Sequence, residues 1–284
     1  MSYIEPIVGR YVHVRLNDVT YRIGYEEAGT GTPLVCLHTA GGDLRQYRHV
    51  LNDDAITSRF RTIAFDMPRH GRSLPPDGTY RQPWEPDMEF LMDFVDAFCE
   101  ALELREVVVL GTSMGGYIAL NLAVHRPGKY RALIAVQPRA HADNWGSLNT
   151  LLDNPRINIH SFSTIIKALI SPESPVDRSD EIEWVYNQAG PGVLAADFAA
   201  APTADVREPM KNTDPIAAGL YVVGGDWDLS CLPGHTDQLV AAMPNLPLVR
   251  VPGLGHFGTA ENPELFREVL LPILDEVEHK QPVT

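Results

Sequence analysis

Val107-Val108-Val109-Leu110-Gly111-Thr112-Ser113-Met114-Gly115-Gly116 decides the fold class. Four apolar residues suit a strand buried on both faces. The G-x-S-x-G turn follows directly, and Met114 to Val124 then reads as a helix. A serine on a sharp strand-to-helix turn has its hydroxyl held out above the sheet at a helix N-terminus, and small flanking residues let strand and helix approach closely. Ser113 is thereby a candidate nucleophile.

Outward from this stretch, strand and helix signals alternate. Upstream, Tyr11 to Leu16 and Val19 to Tyr25 alternate in polarity about an Asn17-Asp18 turn, and Leu34 to Leu37 and Arg61 to Phe65 read as strands. Asp87 to Leu104 carries apolar residues at helical spacing. Downstream, strands are predicted at Ala132 to Val136, Gly219 to Val223 and Leu248 to Val251. Helices are predicted at His235 to Ala242 and Glu264 to Val277, the last kinked at Pro272. Such alternation implies right-handed crossovers and a mostly parallel central sheet flanked by helices, an α/β architecture. Residues 137–212 read differently, rich in Ala, Pro, Asn and Asp, with short helices at Ser163 to Leu169 and Asp180 to Tyr186. The expectation is a core of residues 1–136 and 213–284 with residues 137–212 inserted as a helical cap.

A serine hydroxyl needs a base to take its proton. His256, one of ten histidines, stands in the Gly-punctuated loop Val251-Pro252-Gly253-Leu254-Gly255-His256-Phe257, between the last strand and the last helix. Loops at the C-terminal edge of a parallel sheet are where sites collect. The imidazole needs an acid to fix its tautomer. Asp226 and Asp228 both follow the strand Tyr221-Val222-Val223, whereas the position after Ala132 to Val136 offers only Gln137, Pro138 and Arg139. Donors for a developing oxyanion are expected from the N–H of Met114 and, in the loop His38-Thr39-Ala40-Gly41-Gly42, from Ala40. His38 is expected to brace that loop. Trp145, Trp184 and Tyr186 are candidate substrate contacts within the inserted segment.

Together these pieces resemble the α/β-hydrolase superfamily over nearly the whole chain. The matching stretches are the His38 to Gly42 loop, Asp66-Met67-Pro68-Arg69-His70-Gly71-Arg72-Ser73, the Ser113 elbow, Gly225 to Asp228, and Gly255-His256-Phe257. The resemblance favours Asp228 as the acid, because the family often carries Glu at the position of Asp226. It also assigns the Asp66 to Ser73 turn a structural role, with Arg69 in place of the usual Gly and Thr39 in place of the Gly that commonly follows His38. Haloalkane dehalogenases and epoxide hydrolases of this fold use an Asp nucleophile, and position 113 is Ser. The implied activity is esterase- or lactonase-like acyl transfer on a small-molecule substrate, through Ser113, His256 and Asp228, with no cofactor or metal. A C–C bond hydrolase of the meta-cleavage-product type is the alternative. Those enzymes often carry Trp after the histidine, where this chain has Phe257, and a cap Arg, for which Arg139, Arg156 and Arg178 are available. Cofactor-free perhydrolysis and a non-catalytic ligand receptor use the same fold.

Composition sets outer bounds. A net charge of -14 over 284 residues repels phosphate backbones and anionic lipid headgroups, so nucleic-acid and membrane-surface partners are not expected. The three cysteines are too few and scattered for a disulfide framework. No apolar run is long enough to span a bilayer, and the first residues lack the pattern of a secretory leader, which points to the cytoplasm. Nothing in the sequence fixes the oligomeric state, and a homo-oligomer stays open.

Overall fold

The computed structural model describes residues 2–142, 165–190 and 192–280. Eight strands form one sheet: β1 (Val8–Leu16), β2 (Val19–Ala28), β3 (Thr32–Leu37), β4 (Phe60–Phe65), β5 (Val108–Thr112), β6 (Ala132–Val136), β7 (Leu220–Gly225) and β8 (Leu248–Val251). Their spatial order is β1-β2-β4-β3-β5-β6-β7-β8. β1 and β2 are an antiparallel hairpin, and β2 joins β4 antiparallel. Every pair from β4 to β8 is parallel. The hairpin turns where the sequence placed it, with Asn17 and Asp18 at φ 50° and 60°; two consecutive left-handed residues match the twist of the flanking strands.

Period-two alternation in the buried strands divides the core between the two sheet faces. Val35, Leu37, Val109, Leu133 and Ala135 pack into one cluster, with the helices Met88–Ala101 and Met114–His125. Leu34, Cys36, Val108, Leu110, Ala132 and Ile134 pack into the other, against Phe266, Leu270, Ile273 and Leu274 of the helix Pro263–His279. This explains why these strands read as continuous apolar runs: both faces are covered. Pro272 lies inside the last helix, which runs on to His279. Asp87 caps the helix Met88–Ala101 by accepting from the Phe90 N–H at 2.7 Å.

Between β6 and β7 the described residues contain helices at 165–169, Val176–Tyr186 and Val193–Ala200. The first two overlap the predicted helices, the second starting four residues earlier than expected. The third was not predicted, because its Ala-rich sequence is apolar all round rather than amphipathic. The short helices Leu44–Tyr47, Arg48–Leu51, Asp54–Thr57 and Gly258–Glu261 were also missed, being too brief to establish a period. Among the described residues no helix is long and apolar enough to cross a membrane.

Candidate active site

Ser113 sits between β5 and the helix Met114–His125 at φ 55°, ψ -113°. A non-glycine residue there is strained by about 1–3 kcal/mol and stays only because its surroundings hold it. Two hydrogen bonds do so: Ser113 N–H donates to Val136 O at 2.9 Å, and Tyr117 N–H donates to Ser113 O at 2.7 Å. The flanking glycines are required by close approach. A Cβ on Gly111 would lie 2.1 Å from Gly115 O, and one on Gly115 would lie 2.1 Å from Leu37 O.

The His256 ring faces Asp228, not Asp226. Its Nδ1 is 2.7 Å from Asp228 Oδ2 and 2.9 Å from Ser230 Oγ. Asp228 Oδ1 in turn accepts from Ser230 N–H and Ser230 Oγ–H, both at 2.8 Å. With the serine proton directed at the carboxylate, the Ser230 oxygen can only accept from the ring, so the Nδ1 proton is shared between two oxygens and, in the neutral ring, Nε2 carries the lone pair. Asp228 is fully buried. Burial raises its pKa, but His256 and the Ser230 donors outweigh that and hold the carboxyl below its ordinary value. Asp226 instead accepts from the Gly253 N–H at 2.7 Å, fixing the loop before His256.

Two further side chains shape this loop, and the sequence reading assigned neither of them. Gln137 accepts from Gly225 N–H at 3.2 Å and donates to Gly255 O at 2.8 Å, tying the end of β7 to the residue before His256. The buried Glu261 carboxylate accepts the N–H groups of Gly255 and Phe257, on either side of His256. Burial pushes its pKa up to about 7. The backbone N–H of His256 itself donates to Leu169 O at 3.0 Å. No sequence signal marks Gln137, whose backbone partners lie far along the chain, and Glu261 bonds the backbone just before it in the same loop.

His38 braces its loop as expected. Its Nδ1 donates to Thr39 O at 2.8 Å and its Nε2 accepts from the Met67 N–H at 3.0 Å, which requires the neutral ring. Burial depresses its pKa to about 4. In the Asp66 to Ser73 turn, Asp66 accepts from the N–H groups of Leu44 and Arg72 at 2.9 and 2.7 Å, a structural role.

Ser113, His256, Ala40, Met114 and Tyr186 share one largely apolar cavity of about 970 Å³, its mouth included. Of the three predicted aromatic contacts, Tyr186 lines this cavity. Trp184 does not: its side of the helix Val176–Tyr186 faces solvent and the residue is 69% exposed. Two positions along a helix is roughly half a turn, which separates it from the inward-facing Tyr186. Trp145 lies outside the described residues. Among those described, no group of three or more His, Cys, Asp or Glu is placed to hold a metal ion.

A sequence profile described as "Alpha/beta hydrolase family" matches residues 34–269, from β3 into the last helix. The chain belongs to the alpha/beta hydrolase family. Among solved structures, this alpha/beta hydrolase is similar to a thermophilic esterase from Thermogutta terrifontis, with TM-score 0.80 and 20% identity over 95% of this chain and 99% of that one. It is also similar to an enol-lactonase from Burkholderia xenovorans LB400, with TM-score 0.79 and 18% identity over 94% of this chain and 100% of the other. At these identities the likeness shows the fold. A curated relative, the dihydrolipoyllysine-residue acetyltransferase component of the acetoin cleaving system of Pseudomonas putida, is 34% identical over 103 residues, 36% of this chain and 26% of the relative. The match therefore spans about a quarter of that relative's length.

Proposed function

We propose that this alpha/beta hydrolase cleaves an ester-like bond in a small carboxylic ester or lactone. Ser113 is the nucleophile, His256 the general base and Asp228 the orienting acid. The observation that carries the reading is the 2.7 Å contact between His256 Nδ1 and the buried Asp228, in the loop beside the cavity that Ser113 lines. That contact leaves Nε2 ready to accept a proton. Ser113 attacks the carbonyl as His256 takes its proton, and the N–H groups of Ala40 and Met114 receive the oxyanion. The imidazolium, steadied by Asp228, then protonates the leaving group. Water activated by the same ring releases the acid. The esterase and enol-lactonase likenesses agree with this substrate class.

Residues 137–212 serve as a cap over the pocket, with Tyr186 touching the substrate. The chain works in the cytoplasm on a small molecule, without a cofactor, nucleic-acid partner or membrane surface; its buried, unpaired cysteines suit a reducing compartment.

The test is hydrolysis of p-nitrophenyl acetate, butyrate and octanoate by the wild type and by Ser113→Ala. Turnover of the short esters that disappears in Ser113→Ala is expected. Equal rates from a well-folded wild type and the variant sink the reading.

Arg139 favours one second reading, because it lines the cavity and donates to Ser230 O at 3.2 Å. A guanidinium there suits the carboxylate of a C–C cleavage substrate. Cleavage of a vinylogous 1,5-diketo acid, lost in Arg139→Ala while ester turnover persists, would favour it.

A further inference from the structure

Asp197 lies in the helix Val193–Ala200 and is almost wholly buried at 1% exposure. It lines the same cavity as Ser113 and His256. Both of its identified hydrogen bonds converge on one oxygen. Asp197 Oδ2 accepts from the Gly41 N–H at 2.7 Å, next to Ala40, and stands 2.8 Å from His70 Nε2. Asp197 Oδ1 is buried with no hydrogen-bond partner among the described residues. A buried carboxylate oxygen left unpaired is costly, and in a cavity wall it calls for a donor that arrives with the ligand.

Other polar groups of the cavity wall are engaged with the protein. Thr39 Oγ1 and the Tyr186 hydroxyl bond each other closely, and Gln46 joins both. Both ends of the Gln137 amide hold backbone, and Ser230 Oγ is held by Asp228 and His256. Arg139 brings only donors. Ile166, Leu169, Phe198 and Phe257 make much of the remaining wall apolar.

The charge of the donor follows from His70. Its Nδ1 is 3.1 Å from Pro68 O and its Nε2 is 2.8 Å from Asp197 Oδ2, so each contact needs a proton, and with both in place the His70–Asp197 pair carries no net charge. Burial lowers its pKa, but the Asp197 carboxylate outweighs that and the value is raised. His70 and Asp197 are then already a neutral pair. A cationic ligand group would enter a buried site with no net charge to meet it, whereas a neutral hydroxyl supplies the missing donor and adds no charge.

We infer that Asp197 is a specificity residue whose Oδ1 accepts a hydrogen bond from a neutral hydroxyl of the substrate, so that the preferred esters or lactones are hydroxylated. This rests on the hydrolase reading above and names the substrate class of the same pocket.

The experiment compares kcat/KM, by pH-stat, for methyl butyrate, methyl 2- and 3-hydroxybutyrate and their methoxy counterparts, and for ethyl, 2-hydroxyethyl and 2-methoxyethyl butyrate. These place the hydroxyl on either side of the ester. A methoxy group can accept but cannot donate. For at least one hydroxylated ester, the wild type is expected to exceed both the parent and the methoxy ester by about tenfold or more. In Asp197→Asn, the oxygen must stay on Gly41 and His70, which puts the amide NH2 at the Oδ1 position and turns acceptor into donor. The hydroxy-to-methoxy ratio should fall to about one. A wild type with no hydroxyl preference, or an Asp197→Asn variant that keeps it, overturns the proposal. If Asp197→Asn does not fold, the wild-type ratio decides alone. Failure of the hydrolase reading looks different, because then no ester is turned over. Calorimetric binding of the same esters to Ser113→Ala still reads the hydroxyl preference in that case: tighter binding of a hydroxylated ester supports the proposal, and equal binding throughout overturns it.

Discussion

Ser230 Oγ lies 2.9 Å from His256 Nδ1, close enough to share the ring proton with Asp228 Oδ2 at 2.7 Å. The same hydroxyl donates to Asp228 Oδ1, so one side chain bridges the imidazole and the carboxylate. Ser230→Ala removes that bridge and leaves the carboxylate with fewer donors. We expect kcat for p-nitrophenyl butyrate to fall about tenfold with KM little changed, and the acidic limb of the pH–rate profile to move. An unchanged profile would show that Asp228 alone orients the ring.

Asp228 and Asp226 make opposite contacts two residues apart. Asp228→Asn is expected to lower kcat by about 10⁴-fold, because an amide can favour the wrong tautomer of His256. Asp226→Asn still offers an oxygen to the Gly253 N–H and should leave kcat within about threefold. Comparable losses in the two variants would refute this assignment of the acid.

Glu261 links the His256 loop to pH. Its carboxyl, ordinarily at 4.5, is raised to about 7 by burial. A carboxyl with a raised folded-state pKa binds its proton more tightly in the folded chain. Its contribution to stability is full below about 4.5 and is lost as pH rises through about 7. Glu261→Gln cannot ionise, so relative to wild type it should gain about 2–3 kcal/mol between pH 4.5 and 8. Urea unfolding of both proteins at the two pH values checks this; parallel pH dependence in the two would contradict it.

Gly111→Ala places a methyl 2.1 Å from Gly115 O, where backbone has no room to yield. Overpacking of this kind should destabilise the fold by about 3 kcal/mol or more, seen as a lower urea midpoint. At Gly128, with open space around its Cβ position, the constraint is conformational alone, φ being 76°. Gly128→Ala should therefore cost only about 1 kcal/mol. Equal losses at the two positions would remove close approach as the reason for Gly111.

Trp184 and Tyr186 separate by facing. Trp184→Ala should leave kcat/KM within about twofold, and Tyr186→Ala should lower it at least about tenfold by unseating Thr39 next to Ala40. Steady-state kinetics on p-nitrophenyl butyrate tell the two apart.

Much of this architecture can be read from local pattern. The strands around Leu34, Val108 and Ala132 announce themselves because burial on both faces demands unbroken apolar runs. The turn at Ser113 is legible because strand, small residues and helix follow one another without interruption. His256 and Asp228 stand out because each lies in a loop shortly after a parallel strand of the sheet. What stays hidden is whatever depends on chain brought from afar. Gln137 and Asp197 are ordinary polar residues in sequence, and their partners Gly225, Gly255, Gly41 and His70 all lie far along the chain. Trp184 shows the converse error, since aromatic character says nothing of which way a helix is turned.

The bonds around His256 arrive from Leu169, Gln137, Asp228 and Glu261, while Ser113 depends on Val136 for its bent backbone. During synthesis the serine is thus in place more than a hundred residues before the loop proposed to activate it. A nascent chain cut between Val136 and His256 would hold Ser113 in its turn without the histidine proposed to act on it. On the proposed mechanism, hydrolytic competence arrives only when almost the whole of the described chain has emerged and closed.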